Sequence, residues 1–378
     1  MDNFTKDDNF SFAYACPNDV VCLLEVTVVI AVSFLVVTSN ITSLVVLVST
    51  PSFRNGHGYL LMSLSVADLL VGGVAVLSIY PSADFQDTAY TWPYGDTVCL
   101  IAAYAGQLAL INSGLALLAL SIERYIAVAH PLKYASLVTK KTVSIVITVC
   151  WIVSASVFIT ILLGILPHSY APQFYICQSV YAMTSLLSLV PTFAAVLPCF
   201  IIMLVTSAIV GRKLKESARR RAAMAPAIPE SSNSSGGTAQ NSIKLYRTVR
   251  IMMIAICFHL CPFLIVRFLT IFHEESVPQV ISFAAYWWMI SNSLVNTVIY
   301  YIKNTKYRDR VHELAAKLVP SCFRDLEGRL PCTCWCSRSR NTLPYSCGSS
   351  GGSGRPNVEL IVVKTEELQD TVSPFRKI

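Results

Sequence analysis

The sequence predicts an all-α membrane protein: a seven-transmembrane helix bundle with a short amphipathic cytoplasmic eighth helix. Three observations carry that expectation. Of 378 residues, 54% are hydrophobic and only 13% charged, with a mean hydropathy of +0.57, whereas a soluble domain carries about 25% charged residues. Seven stretches hold the roughly 20 mostly apolar residues that a membrane helix needs: 23–49, 58–82, 96–129, 140–166, 183–212, 244–272 and 278–302. Basic residues are segregated between them. Arg54, then Lys133, Lys140 and Lys141, then Arg212, Lys213, Lys215, Arg219, Arg220, Arg221 and Lys244 fall in alternate connections, while 83–95, 167–182 and 273–277 hold no Lys or Arg. Excess basic charge marks the cytoplasmic side. The N-terminus, with Lys6 alone, is therefore expected outside.

Taken in order, residues 1–22 form an extracellular segment with glycosylation sequons at Asn3 and Asn9. They lack a basic stretch followed by an apolar core, so no cleaved signal peptide is expected and the first span acts as its own insertion signal. Two further sequons, at Asn40 and Asn233, lie inside a span and on the cytoplasmic side, and are expected to stay unmodified. The bundle occupies 23–302. Its third cytoplasmic loop is about 213–243, of which 219–243 passes from Arg-rich to Ala/Pro to Ser/Gly-rich sequence and is expected to be disordered. Residues 303–318 place Tyr307, Val311, Leu314, Ala315 and Leu318 on one face, which predicts a helix lying on the membrane surface. A disordered cytoplasmic tail, 319–378, follows. Cys322, just beyond the surface helix, is the expected palmitoylation site.

Most of the thirteen cysteines are scattered, and Cys150, Cys199, Cys257 and Cys261 lie in apolar runs as packing residues. No spacing matches a metal hydrolase, a phosphate loop or a nucleophile–base pair, so the chain is not expected to be an enzyme. Nothing points to nucleic acid: Lys and Arg beside apolar spans read as membrane orientation. What stands out is charge at membrane depth, which is expensive and usually kept for function. Glu123-Arg124-Tyr125 closes the third span, and Asp68 sits inside the second in Leu64-Ser65-Val66-Ala67-Asp68-Leu69-Leu70.

These residues occur in an ordered set. Asn40 lies in span one; Trp92-Pro93-Tyr94-Gly95 follows span two; Cys99 stands 25 positions before Arg124 and Trp151 stands 27 after it. Pro198 and Pro262 follow in spans five and six, and Asn296-Thr297-Val298-Ile299-Tyr300 closes span seven. The set resembles the rhodopsin-like (class A) G-protein-coupled receptors over roughly residues 23–318. The resemblance implies a disulfide between Cys99 and Cys177, and switch residues Glu123, Arg124, Tyr125, Asn296, Tyr300 and Pro262, the last a kink about which span six swings. It also implies that Leu132 inserts into a heterotrimeric G protein, and that Asp68, Ser113, Asn292 and Asn296 form an allosteric sodium site. The other reading of that site is a protonated Asp68 in a hydrogen-bond network. No other cofactor is expected. The implied partners are a G protein, arrestin and receptor kinases, membrane lipid and an extracellular ligand, at the plasma membrane. A second bridge between Cys16 and Cys22 stays open.

Several positions depart from the family pattern. Leu260 stands where the family carries Trp, Thr297 where it carries Pro, Thr206 where a Tyr is expected and Ser242 where an acid faces Arg124. Without an inner acid for Arg124, appreciable basal signalling is expected, which a receptor silent without ligand at good surface expression would refute; the other reading is that Glu123 alone restrains Arg124. Gly106 replaces the Asp of amine receptors, and span seven has no Lys for retinal, so neither ligand is expected. The ligand-facing residues are Gln107, Arg267, His273 and Tyr286, with Trp287 and Trp288 nearby. For Arg267 two readings stand, an anionic ligand or a structural pair with Glu274 or Glu275. Two other functions also stand: a receptor-like decoy or scaffold that does not couple, and an ion-coupled transporter using Asp68, although no internal repeat supports the latter.

Overall fold

A computed structural model describes residues 19–83, 92–157, 159–164, 167–179, 186–224, 235–272 and 277–318. The chain divides into two units, Met1–Pro320 and Ser321–Ile378, and the second lies outside the described residues. In order, the helices are α1 (Asp19–Ser49), α2 (Gly56–Val76), α3 (Ile79–Ala83), α4 (Asp96–Ala129), α5 (Pro131–Leu137), α6 (Lys140–Val157) and α7 (Ile159–Leu162). There follow a hairpin of β1 (His168–Ala171) and β2 (Ile176–Ser179), then α8 (Leu186–Met224), α9 (Ser235–Phe272), α10 (Gln279–Ile290), α11 (Asn292–Lys303) and α12 (Thr305–Leu318).

The Val, Ile and Thr of α1 would favour a strand in water. In hydrocarbon every backbone group must be satisfied within the segment, and helix wins. Five segments are long and apolar enough to cross a membrane by length and composition: Val20–Ser49, Gly56–Ala83, Asp96–Ala129, Lys140–Val157 and Arg247–Thr270. With α8 and the α10–α11 pair they make the seven-helix bundle. Phe34, Ile152, Leu163 and Phe258 are more than 60% exposed, and a bilayer supplies the burial that neighbouring helices do not.

Helix α4, 34 residues and so about 51 Å long, is the central column. It packs against α2, α6, α8, α9 and the hairpin. Where α2 begins, a 3₁₀ turn at Pro51–Phe53 delivers Asn55, whose side chain accepts from the Gly58 amide at 3.0 Å. Gly58 is required there, since a Cβ on it would lie 1.8 Å from the Phe53 carbonyl oxygen. At the other end of the bundle, Gly164 (φ +68°) adopts a left-handed conformation in the turn that follows α7.

Three expectations need correction. Span four, expected to reach 166, ends its helical structure at Leu162 because of that turn. The loop 213–243 is helical at both ends, through Met224 and again from Ser235, with only 225–234 outside the described residues. Lys, Arg, Glu and Ala after Lys213 are good helix formers, Glu216 and Arg220 pair at 2.5 Å one turn apart, and an existing helix extends at little cost. Span seven is two helices that meet at Ser291, whose hydroxyl bonds the Trp288 carbonyl at 2.6 Å. The chain is therefore interrupted beside Asn292 although Thr297 is not proline. The surface helix begins at Thr305; the Asn304 side chain caps it by accepting from the Tyr307 amide at 3.2 Å.

Candidate functional site

The buried polar groups gather at three levels along α4. At the end where the basic residues cluster, Arg124 of α4 is bonded through Nε and Nη2 to the carboxylate of Glu123, its neighbour on the same helix. The two are 6% and 4% exposed. Two more groups close around the same carboxylate. The Tyr134 hydroxyl from α5 donates to Glu123 Oε1, and His57 Nδ1 of α2 lies 3.2 Å from Oε2. Burial first, and then the Glu123 charge and hydrogen bond, push the Tyr134 phenol up to about 12. It therefore stays protonated and able to donate at physiological pH. His57 Nε2 is bonded to the Tyr300 hydroxyl of α11, and the Tyr300 ring packs at 5.9 Å on Tyr307 of α12. Arg124 is thus enclosed by groups from α2, α4 and α5. The Lys244 and Ser242 side chains lie outside those described.

Tyr125, beside Arg124, points elsewhere and meets His130 edge-on at 5.9 Å. Leu132, at the start of α5, is 96% exposed. Thr206 of α8 exchanges a hydrogen bond with Ser121 of α4 at 2.7 Å. Pro262 lies inside the continuous helix α9.

At mid-depth Asp68 is fully buried. Ser113 Oγ donates to Oδ1 and Asn296 Nδ2 to Oδ2, both at 2.9 Å. Asn292 and Asn296 are also buried, and the Oδ1 atoms of both lack a hydrogen-bond partner. One carboxylate with orphaned amide oxygens is a donor set that suits a hard cation. Nearby, Asn40 Nδ2 donates to the Ser293 carbonyl at 3.1 Å, tying α1 to the α10–α11 break.

At the opposite end the Cys99–Cys177 disulfide joins α4 to β2. The hairpin turns through Tyr175 (φ +58°), and Phe174, Tyr175 and Ile176 are buried there. Phe174 stacks near Tyr286 with ring centroids 5.0 Å apart. Tyr175 donates to the buried carboxylate of Glu25 on α1 at 2.8 Å, and burial followed by the Glu25 bond pushes its phenol well above the usual range. Gln107 donates to the Ser179 hydroxyl at 3.1 Å. Beneath Ile176 an apolar cavity bounded by Val71, Gly106, Leu110, Tyr286 and Trp287 has room for no more than a water or two. Gln107 and Tyr286, expected to face a ligand, are thus engaged by the chain's own hairpin. Arg267 is partly buried on α9. His273, Glu274, Glu275, Asn3, Asn9, Cys16 and Cys322 lie outside the described residues, while Cys22 is disulfide-bonded.

Sequence reasoning missed His57, Tyr134 and the Glu25–Tyr175 pair. Glu25 did carry a signal, because an ionisable group within an apolar span needs a partner, whereas His57 fell just outside the expected span 58–82. Tyr134 carried none.

A family model described as seven-transmembrane receptors of the rhodopsin family matches residues 39–300. The chain is 27% identical over 320 residues to G-protein coupled receptor 52 of Mus musculus, covering 82% of this chain and 86% of that one. It is 26% identical over 329 residues to probable G-protein coupled receptor 21 of Mus musculus, covering 85% and 91%. The human histamine H2 receptor is 30% identical over 151 residues, 39% of this chain and 41% of that receptor.

Proposed function

The chain belongs to the rhodopsin family of seven-transmembrane receptors, and from that premise we propose that it drives nucleotide exchange on a heterotrimeric G protein. In this reading the half of α9 that precedes Pro262, at the Arg124 end, swings outward and Arg124 exchanges Glu123 for the G protein. The observation that carries it is the enclosure of the Glu123–Arg124 pair, with Tyr134 and His57 on the same carboxylate. A permanently charged fork held by a neighbour and ringed by exchangeable hydrogen bonds can take a second partner without rebuilding the core. Beside it, the exposed Leu132 is free to enter an apolar pocket on the Gα subunit. Binding on one side of the membrane and coupling on the other are then linked through two bundle states of differing affinity.

Asp68, Ser113, Asn292 and Asn296 would hold a sodium ion, with the orphaned amide oxygens supporting the fit. The ion supplies a positive charge that favours one packing of the bundle. The reading places the receptor in the plasma membrane with its N-terminus outside, glycosylated at Asn3 and Asn9 and palmitoylated at Cys322. Receptor kinases and arrestin act on the tail. A ligand would approach Gln107, Arg267, His273 and Tyr286 only by displacing or joining the hairpin. Gα nucleotide exchange by the receptor in lipid nanodiscs tests the coupling. A decoy would give none, whereas ion flux in proteoliposomes without exchange would favour a transporter.

A further inference from the structure

His57 stands in the first turn of α2, its position fixed by the Asn55 cap and by the close pass of Gly58 under the Phe53 carbonyl. It is 7% exposed, and both ring nitrogens are engaged. The Glu123 carboxylate on its Nδ1 side already receives Arg124 and Tyr134 and can only accept. Nδ1 therefore carries the hydrogen, and Nε2 of the neutral ring accepts from the Tyr300 O–H. The carboxylate sets the direction of the Nδ1 bond, and the neutral ring sets that of the Nε2 bond.

Across the bundle, α8 carries Thr206 level with Ser121 of α4. Its Thr206 hydroxyl is committed to Ser121 Oγ at 2.7 Å and to the Ile202 carbonyl at 2.8 Å. Beside Tyr300, Leu61, Leu64, Met252, Asn296 and Thr297 border a space of the order of a single water, so the tyrosine can move only with its neighbours.

We propose that His57 is a latch, a single imidazole through which the Glu123–Arg124 pair and Tyr300 are held in one state together. The proposal rests on the coupling reading above. If Tyr300 withdraws, Nε2 becomes a buried acceptor with no donor. If Glu123 turns away, the Nδ1 hydrogen loses its acceptor. Either loss costs more than the bond itself was worth. The ring is satisfied only while both contacts stand, so the two ends of the latch open cooperatively. His57 is a positioning residue: it acts on Arg124 through Glu123 and on α11 through Tyr300.

The test uses full-length receptor in nanodiscs, with Gα nucleotide exchange measured per receptor for wild type, His57→Ala, Tyr300→Phe, the double variant and Arg124→Ala. The latch predicts that His57→Ala raises ligand-free exchange about two- to tenfold, the range that loss of one buried hydrogen bond produces in a two-state balance. It predicts that Tyr300→Phe changes exchange in wild type and adds nothing in His57→Ala, because the contact is already gone. His57→Gln, whose amide can donate to Glu123 and accept from Tyr300, returns exchange towards wild type. Where Ala does not fold, His57→Phe fills the same space without ring nitrogens and takes its place. Unchanged exchange in His57→Ala, or effects of His57 and Tyr300 that simply multiply, would overturn the latch. Arg124→Ala separates the two claims. If it abolishes exchange while His57 and Tyr300 act independently, only the latch fails; if it leaves exchange intact, the coupling reading fails.

Discussion

The two ends of the bundle are held by different physics. At the hairpin end the restraint is covalent and apolar: the Cys99–Cys177 bond, Phe174 on Tyr286, Ile176 over a nearly filled cavity, and one buried hydrogen bond from Tyr175 to Glu25. At the Arg124 end no disulfide is present among the described residues. One carboxylate collects Arg124, Tyr134 and His57, and His57 passes the contact on to Tyr300. A disulfide and a packed apolar core have a single low-energy arrangement, whereas hydrogen-bonded charges can change partners at modest cost. On the proposed reading the hairpin end stays and the Arg124 end switches. Lesions at the first should therefore change how much receptor folds, and lesions at the second how each folded receptor signals.

The largest expected effect is at the hairpin end. Cys99→Ser opens a link across 78 residues and should cost about 4 kcal/mol by the loop-closure account. Surface expression and thermal survival in detergent should fall steeply, with exchange per surviving receptor near wild type. Gly58→Ala comes next, at the Arg124 end. A Cβ 1.8 Å from a backbone oxygen forces the start of α2 to move, at about 3 kcal/mol. Because His57 is next to it, this variant should lose stability and also shift exchange per receptor. If it lowered stability alone, the contrast between the ends would break. Tyr175→Phe should cost about 1–3 kcal/mol by removing a donor from the buried Glu25 carboxylate. Thermal shift should read that loss while Gα exchange does not. The smallest effect is at mid-depth, where replacing sodium by a bulky organic cation should raise ligand-free exchange about two- to fivefold, as for an ion that prefers the resting state. Asp68→Asn should abolish that dependence; a sodium response that survived the substitution would place the cation elsewhere.

Much of this was legible in the sequence because hydrocarbon makes exceptions visible. Asp68 and Glu123-Arg124 are charges in apolar runs, so each announced itself locally, and α4 spans the expected 96–129. The order of Cys99, Trp151, Pro262 and Asn296-to-Tyr300 supplied the rest. Contacts made only by tertiary packing were not legible: His57 meets Glu123 66 positions away and Tyr300 243 away. The break at Ser291 was hidden as well, because a serine that bonds its own turn leaves no local mark of the kind a proline leaves. Composition misjudged 213–224, where loop-like charge proved to be the surface of an extended helix.

The most direct test of the central claim is ligand-free nucleotide exchange on Gα by wild type and Arg124→Ala at equal receptor number in nanodiscs. The account predicts measurable exchange with wild type and exchange at the level of empty nanodiscs with Arg124→Ala. Equal exchange from both would contradict it, because the group enclosed at the centre of the switch would then have no part in coupling.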